Sequence, residues 1–351
     1  MGIRRDRTMP LNTKAERRLA MAFTEAESRG SCLVPSTDAD AVALKRRCTK
    51  GEVVEPAPGI YARPGYWQLL PPDARAMHLM RGLGEKHGAW VFRESSAALA
   101  WGLDVPYPLA LPVHVGVSRI PLSQCSNVAF CSLSSHPIEM VDGVRSMPFW
   151  ESVVDCLLTA PFSWGLAVAD SALHRTGRGA DWLMERVREL GKGCPGVNRA
   201  LITASYADGR AESGGESRVR AFIIVNGFQL PELQVQIEDP VEPERVYRGD
   251  FFWELRGAAG VLGEVDGIEK YEDEEMLGGR STVEALVDER QRESHLTLAG
   301  FPVVRFTLDD LEHPQRLERK LIVAGIPRDA RAAEEWHAAW READPHGAGG
   351  R

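Results

Sequence analysis

Asp250, Glu264 and Asp266 are acids set inside otherwise strand-like runs, Tyr247-Arg248-Gly249-Asp250-Phe251-Phe252-Trp253-Glu254 and Val261-Leu262-Gly263-Glu264-Val265-Asp266-Gly267. A Gly-containing turn over 256–260 joins the two runs and predicts neighbouring strands; Glu264 and Asp266, two apart, share a strand face. Carboxylates gathered on one face repel, and the usual remedies are a bound cation, raised pKa values or a surface location. An all-oxygen donor set suits Mg²⁺ or Mn²⁺, and a metal held this way can polarise a phosphodiester and activate water for in-line attack. Asp250, Glu264 and Asp266 are therefore three carboxylates that can gather round such a cation. Lys270, four residues beyond Asp266, is a candidate to position water or to stabilise a developing oxyanion. The competing reading, a solvated acidic strand end, fits poorly with the apolar neighbours Phe251-Phe252-Trp253 and Val261-Leu262, where an unpaired charge is expensive. A salt bridge is the alternative role for Lys270.

The surrounding elements are predicted in the order α-β-β-β-α-β. A helix opens at Glu216-Ser217-Arg218-Val219-Arg220 and ends at Gly227, and Leu233-Gln234-Val235-Gln236-Ile237 alternates as a strand. The two acid-bearing strands follow, then a helix over 283–298 and a last strand, Val303-Val304-Arg305-Phe306. Glu216, in the first turn of its helix, is a candidate fourth acid, although the helix dipole alone favours an acid there. Arg290 and Arg292 can clamp a phosphate or pair with Glu289 and Glu293. Trp253 reads as core, and Trp336 and Trp340, four apart, as residues that dock a last helix.

Upstream, Thr13 and Glu16 predict a helix to Gly30, and Thr37 caps a second helix to about Lys50. A hairpin follows over 52–63 around Pro56-Ala57-Pro58-Gly59. Two helices and a small hairpin are the parts of a winged helix over 13–70. Lys45, Arg46, Arg47 and Lys50 end its second helix, where they suit the dipole or contact DNA phosphates. Residues 71–200 read as a mixed α/β middle domain without a catalytic constellation; its histidines, His114, His136 and His174, are isolated. A turn-rich stretch around 206–215 predicts a boundary near residue 200, followed by a domain over 210–325 and a C-terminal helix and tail over 326–351.

Composition bounds these readings. The chain has 351 residues, 26% of them charged, and a net charge of -8; a protein that coats nucleic acid nonspecifically is normally basic. Any DNA contact must therefore be local, as at residues 1–50, which are richer in Lys and Arg than in acids. No apolar run reaches the length of a membrane span, and the basic start lacks the apolar stretch of a secretory signal. Six scattered cysteines without a C-x-x-C pair fit a reduced cytoplasm.

From Glu216 to Leu311 the chain resembles the PD-(D/E)XK nuclease core, and more narrowly the very-short-patch-repair endonuclease-like domains. The resemblance rests on Glu216-Ser217-Arg218-Val219-Arg220, Pro231-Glu232-Leu233-Gln234, Gly249-Asp250-Phe251, Gly263-Glu264-Val265-Asp266-Gly267-Ile268-Glu269-Lys270-Tyr271, Glu289-Arg290-Gln291-Arg292-Glu293 and Gly300-Phe301-Pro302-Val303-Val304-Arg305-Phe306. It implies that Asp250 and Glu264 bind metal and that Glu216 is an accessory acid. Asp266 stands where the wider superfamily has its motif lysine, with Lys270 as the migrated substitute. Neither the repair enzyme's histidines nor its zinc cysteines are matched, so mismatch repair is not implied. The front of the chain resembles AbiEi-type antitoxins of type IV toxin–antitoxin systems, an architecture familiar among actinobacterial proteins, through Gly59-Ile60-Tyr61-Ala62, Ser95-Ser96-Ala97-Ala98-Leu99-Ala100-Trp101-Gly102-Leu103 and Glu151-Ser152-Val153-Val154-Asp155-Cys156-Leu157-Leu158. That resemblance implies DNA binding and autoregulation.

The expectation is thus a cytoplasmic α/β (α+β) protein: a winged-helix-like module, a mixed middle and a restriction-endonuclease-like αβββαβ core. Its function would be Mg²⁺- or Mn²⁺-dependent DNA endonuclease, with Asp250, Glu264, Asp266, Lys270 and Glu216 at the catalytic site. The alternative is a non-catalytic DNA-binding regulator of antitoxin type, with a cognate toxin as partner and a homodimer as a further expectation. A pure protein-interaction module fits the acidic charge but leaves the carboxylates unexplained.

Overall fold

A computed structural model describes residues 14–122, 125–133, 137–239, 241–255, 260–266, 290–292, 294–298 and 300–343. The chain is mixed α/β and divides after Ser152 into two compact units.

The first unit opens with α1 (Lys14–Ser28) and α2 (Asp38–Thr49). Leu19, Phe23 and Ala26 recur at helical spacing on α1 and bury against Leu33, Leu44, Val53 and Tyr61. Thr37 caps α2 as the sequence predicts, its hydroxyl accepting the Asp40 N–H at 3.1 Å. The hairpin follows as β1 (Val54–Ala57) and β2 (Ile60–Ala62), paired antiparallel. Helices α3 (Pro64–Leu69) and α4 (Pro72–Lys86) lead into a five-stranded sheet formed by β3 (Val91–Phe92), β4 (Val113–Val117), β5 (Val128–Ser132), β6 (Glu139–Val141) and β7 (Val144–Ser146). Its order is β5-β4-β3-β7-β6. Helices α5 (Glu94–Ala100) and α6 (Tyr107–Ala110) lie between β3 and β4, and α7 (Phe149–Thr159) runs across the division.

The second unit contains α8 (Phe162–Thr176), α9 (Ala180–Leu190), α10 (Val197–Ser205) and α11 (Gly214–Val225). After them come β8 (Glu232–Glu238), β9 (Val246–Trp253), β10 (Val261–Asp266) and β11 (Val303–Thr307), in the sheet order β11-β10-β9-β8. β8, β9 and β10 form an antiparallel meander, and β11 joins β10 in parallel. Of the helix expected over 283–298, residues 290–292 and 294–298 are described and helical. Short helices Leu308–Glu312 and Pro314–Val323 and the last helix, Ala330–Glu342, complete the unit. Trp336 and Trp340 stack at 5.4 Å and pack on Phe162, which agrees with a docking role.

The sequence places a boundary near residue 200; the compact units part instead after Ser152. The physical reason is a buried ion pair. Asp170 of α8, fully enclosed, takes two bonds from Arg220 Nη2 of α11, at 2.6 and 2.8 Å, and a third from the Asp208 N–H at 2.7 Å. Arg220 also donates to the Tyr206 carbonyl at 2.7 Å. The helices before residue 200 are thereby tied to the helix that backs the C-terminal sheet.

Candidate functional site

The C-terminal sheet buries one face against α11. Phe251, Trp253, Val261, Val265 and Phe306 meet Val219 and Ile223 there. Trp253 is core, as expected, its indole donating to the Gln229 carbonyl at 2.7 Å. Gly263 is needed on this face: a Cβ would lie 2.8 Å from the Trp253 ring and 3.0 Å from the Phe306 ring. By strand alternation Glu264 points to the opposite face, and Arg292 of the 290–298 helical segment meets it there, Nη2 to Oε2 at 2.5 Å. The sheet is thus covered on both sides, by α11 and by the segment that carries Arg292.

Asp250 sits where the pleat slips. Phe251 and Trp253 face α11, yet Arg248, three residues from Phe251, also takes the α11 side and pairs with Glu212 at 2.5 Å. Gly249 faces the other way, its Cβ direction 2.8 Å from the Leu262 side chain. Pairs on either side, Leu233 with Phe251 and Val235 with Gly249, put Gln234 opposite Asp250. Gln234 has φ +56°, in the left-handed region that costs a side chain about 1–2 kcal/mol. Asp250 lies across from this strained residue. Its Oδ2 accepts the Val265 N–H at 2.8 Å, which is the point where β10 turns from β9 toward β11.

The register brings the acids together as the sequence predicts for Asp250 and Glu264. Gly263 pairs with Phe251, so the next positions along the two strands are Glu264 and Asp250. Glu264 is only 7% exposed, and among the described residues its Oε1 has no hydrogen-bond partner. Glu216 approaches from α11. Burial, and then the negative Asp250, push its carboxyl above the ordinary value. Glu216 also has a structural role: its N–H is capped by the Ser213 hydroxyl, and its carboxylate accepts from that hydroxyl at 2.8 Å and from the Glu212 N–H at 3.0 Å. The Gln234 amide donates to it at 2.9 Å, and the buried Gln234 Oε1 has no partner among the described residues. Asp266 is turned to Arg305, 3.0 Å away. Lys270 lies outside the described residues. Arg290 is exposed.

Two features here were not singled out from sequence. Arg305 is opposite Glu264 in the parallel register and reaches both Glu264, at 3.4 Å, and Asp266. Asp239, buried at the end of β8, accepts the Tyr247 hydroxyl at 2.5 Å, His295 Nδ1–H at 2.8 Å and the N–H groups of Val241 and Glu242. Burial opposes its ionisation, but the bonds from His295, Tyr247 and the backbone outweigh burial and hold the carboxyl far below the usual range. The Tyr247 ring lies 6.0 Å from the Arg292 guanidinium. Only the parallel register and a 56-residue separation join these groups, and no local spacing signals either.

The donor chemistry suits a hard divalent cation: two carboxylates on adjacent strands, one with a buried oxygen that has no partner among the described residues. Among the described residues no group of three or more His, Cys, Asp or Glu is arranged to hold a metal. A two-carboxylate site fits Mg²⁺, which usually keeps several waters and takes one or two carboxylates together with substrate phosphates. A separate recess of about 310 Å³, lined by Tyr206, Ile224, Phe228, Leu230, Arg328 and Trp336 among others, contains none of these acids.

In the first unit the expected basic cluster is partly engaged. Lys45 pairs with Glu55 at 2.7 Å and Arg47 approaches Glu16 at 4.0 Å, whereas Arg46 and Lys50 are exposed.

Two curated relatives, both uncharacterized proteins of Mycobacterium tuberculosis from two strains, are each 32% identical to this chain over 188 residues. The match covers 52% of this chain and 63% of each relative, so the chain spans less than two-thirds of their length. No family model and no solved structure matches the chain. Among the described residues no helix is long and apolar enough to cross a membrane.

Proposed function

We propose that the second unit is a Mg²⁺- or Mn²⁺-dependent DNA endonuclease with a restriction-endonuclease-like core, and that α1, α2 and the β1–β2 hairpin form a winged-helix-like module that engages DNA. The observation that carries this reading is Glu264: a buried carboxylate with one oxygen that has no partner among the described residues, next in register to Asp250 and flanked by Arg292 and Arg305. A buried, half-satisfied carboxylate costs stability unless a further charge completes it. The element order α11, β8, β9, β10, helical segment, β11 supports the same reading. Asp250 and Glu264 would hold the cation, which when bound polarises the phosphodiester and lowers the pKa of its water. Arg305 stays between Glu264 and Asp266 and fixes the carboxylate orientation. Glu216, its ionisation resisted by burial and then by Asp250, gives up its proton less readily than an ordinary carboxyl.

A second reading, a non-catalytic DNA-binding regulator of antitoxin type, draws support from Arg305. It already balances Glu264 and Asp266 from within the chain. A cognate toxin and a homodimer belong to this reading.

The deciding experiment is Mn²⁺ calorimetry on wild type and Asp250→Ala, with plasmid nicking assayed on the same samples. Binding lost in the variant, together with metal-dependent nicking, supports the nuclease. Binding without nicking supports the regulator. Absence of binding to the wild type overturns the metal site.

A further inference from the structure

We propose that Arg292 is a tethered counter-ion: it neutralises Glu264 in the resting chain and passes to a phosphodiester of the ligand when a divalent cation takes Glu264. This rests on the metal site proposed above. Glu264 and Arg292 are both mostly buried, with side chains 9% and 19% exposed, so their charges act on one another with little screening. Their contact is single-pronged, Nη2 to Oε2. Glu264 Oε1 has no hydrogen-bond partner among the described residues, so the two-pronged fork that makes arginine–carboxylate pairs strong is not formed.

The mounting of Arg292 allows it to move without its helix. His295, one helical turn on, is anchored to Asp239, and Tyr247 is anchored to the same carboxylate. The segment is therefore held at the Asp239 hub whatever Arg292 does. The Tyr247 ring, 6.0 Å from the guanidinium, offers a cation an alternative resting surface. Arg305 differs: it rides on β11 and is spread over two carboxylates.

Charge balance gives the direction. Glu264 and Asp266 face Arg292 and Arg305, Arg292 pairing with Glu264 and Arg305 reaching both acids. A divalent cation on Asp250 and Glu264 would take the carboxylate that Arg292 pairs with and set a like charge beside it. A phosphodiester, with one negative charge and oxygens matched to a guanidinium, restores balance. Cation and phosphodiester then bind with positive and reciprocal coupling.

The test is Mn²⁺ calorimetry on the full chain, with and without a short phosphorothioate DNA duplex, for wild type, Arg292→Gln and Arg292→Lys. In wild type the duplex tightens Mn²⁺ binding about tenfold, within the usual range of coupling between sites. Arg292→Gln alone binds Mn²⁺ about tenfold tighter than wild type, and the duplex adds little. Arg292→Lys keeps the charge and stays near the wild-type Mn²⁺ affinity, which separates loss of a competing cation from loss of structure. Mn²⁺ affinity that is equal in wild type and Arg292→Gln overturns the counter-ion role and leaves the metal site standing. No Mn²⁺ binding to any of the three proteins overturns the site and the counter-ion role together.

Discussion

Replacing Arg220 by Met should strip the C-terminal unit of a buried ion pair. Arg220 gives two charge-assisted bonds to Asp170 and one to the Tyr206 carbonyl, and Asp170 is 0% exposed. Burial raises the Asp170 carboxyl to about 6 even against the pull of Arg220. With Arg220 removed, burial acts against fewer opposing bonds and the carboxyl rises further. Removing one partner of a buried pair costs about 3–5 kcal/mol. For a unit of this size that corresponds to a fall of about 6–20 °C in its melting temperature. Scanning calorimetry on the full chain reads this as movement of one unit's transition while the other stays in place. An acid raised on folding contributes stability that is fully present below its unfolded pKa and lost as pH rises through the folded value. The deficit of Arg220→Met is therefore smaller at pH 5 than at pH 8. Adding Asp170→Asn to Arg220→Met removes the stranded charge and recovers much of the loss at pH 8. A shift below about 1 kcal/mol, the range of exposed pairs, or an equal deficit at both pH values, would refute the reasoning.

The slipped pleat at Gln234 gives a paired expectation. Gln234→Gly relieves about 1 kcal/mol of left-handed backbone strain but loses a hydrogen bond to Glu216 of similar size, so its urea midpoint stays near wild type. Gln234→Ala loses the bond without the relief and unfolds at lower urea. Glu216, raised by burial and then by Asp250, contributes stability that is complete below about pH 4.5 and lost as pH rises through its folded value. Glu216→Gln therefore narrows the stability difference between pH 4.5 and about pH 7.5; an unchanged difference would mean that Glu216 ionises as an ordinary carboxyl. If the first unit binds DNA, Arg46→Ala with Lys50→Ala lowers the slope of log affinity against log salt by about 2, one per lost phosphate contact. Lys45→Ala, already paired with Glu55, moves the slope less, and a gel-shift series in salt separates the two.

Elements with a strong local signal were readable from sequence. The cap at Thr37, the hairpin around Pro56-Ala57-Pro58-Gly59 and the Gly-bounded run Val261–Asp266 all appear at or near the expected bounds. The β6–β7 hairpin was not foreseen, because three-residue strands around Asp142-Gly143 are too short to show a period. The short helix at Leu308–Glu312 was also missed, although Thr307 and Asp310 form a capping box. Pairing of the site acids was legible because Asp250 and Glu264 flank one turn. Lys270, in the same local run, lies outside the described residues, and Arg305 arrives through a parallel strand that no local spacing signals. Similarly, the domain boundary was drawn at a turn-rich stretch, and the Asp170–Arg220 pair that crosses it is visible only once α8 and α11 are packed.

The sheet order has a consequence for how the site comes into being. β8, β9 and β10 are joined through 239–245 and 254–260, whereas β11 must wait for residues 267–302 to be closed into a loop. A loop about five times longer costs roughly 1.4 kcal/mol more to close. The meander is therefore expected to be formed in the folding transition state, with β11 docking afterwards. Kinetically, Val304→Ala would speed unfolding and hardly slow folding, while Phe251→Leu would slow folding. Asp250 and Glu264 then become neighbours early, and Arg305 closes the site only when the last strand arrives.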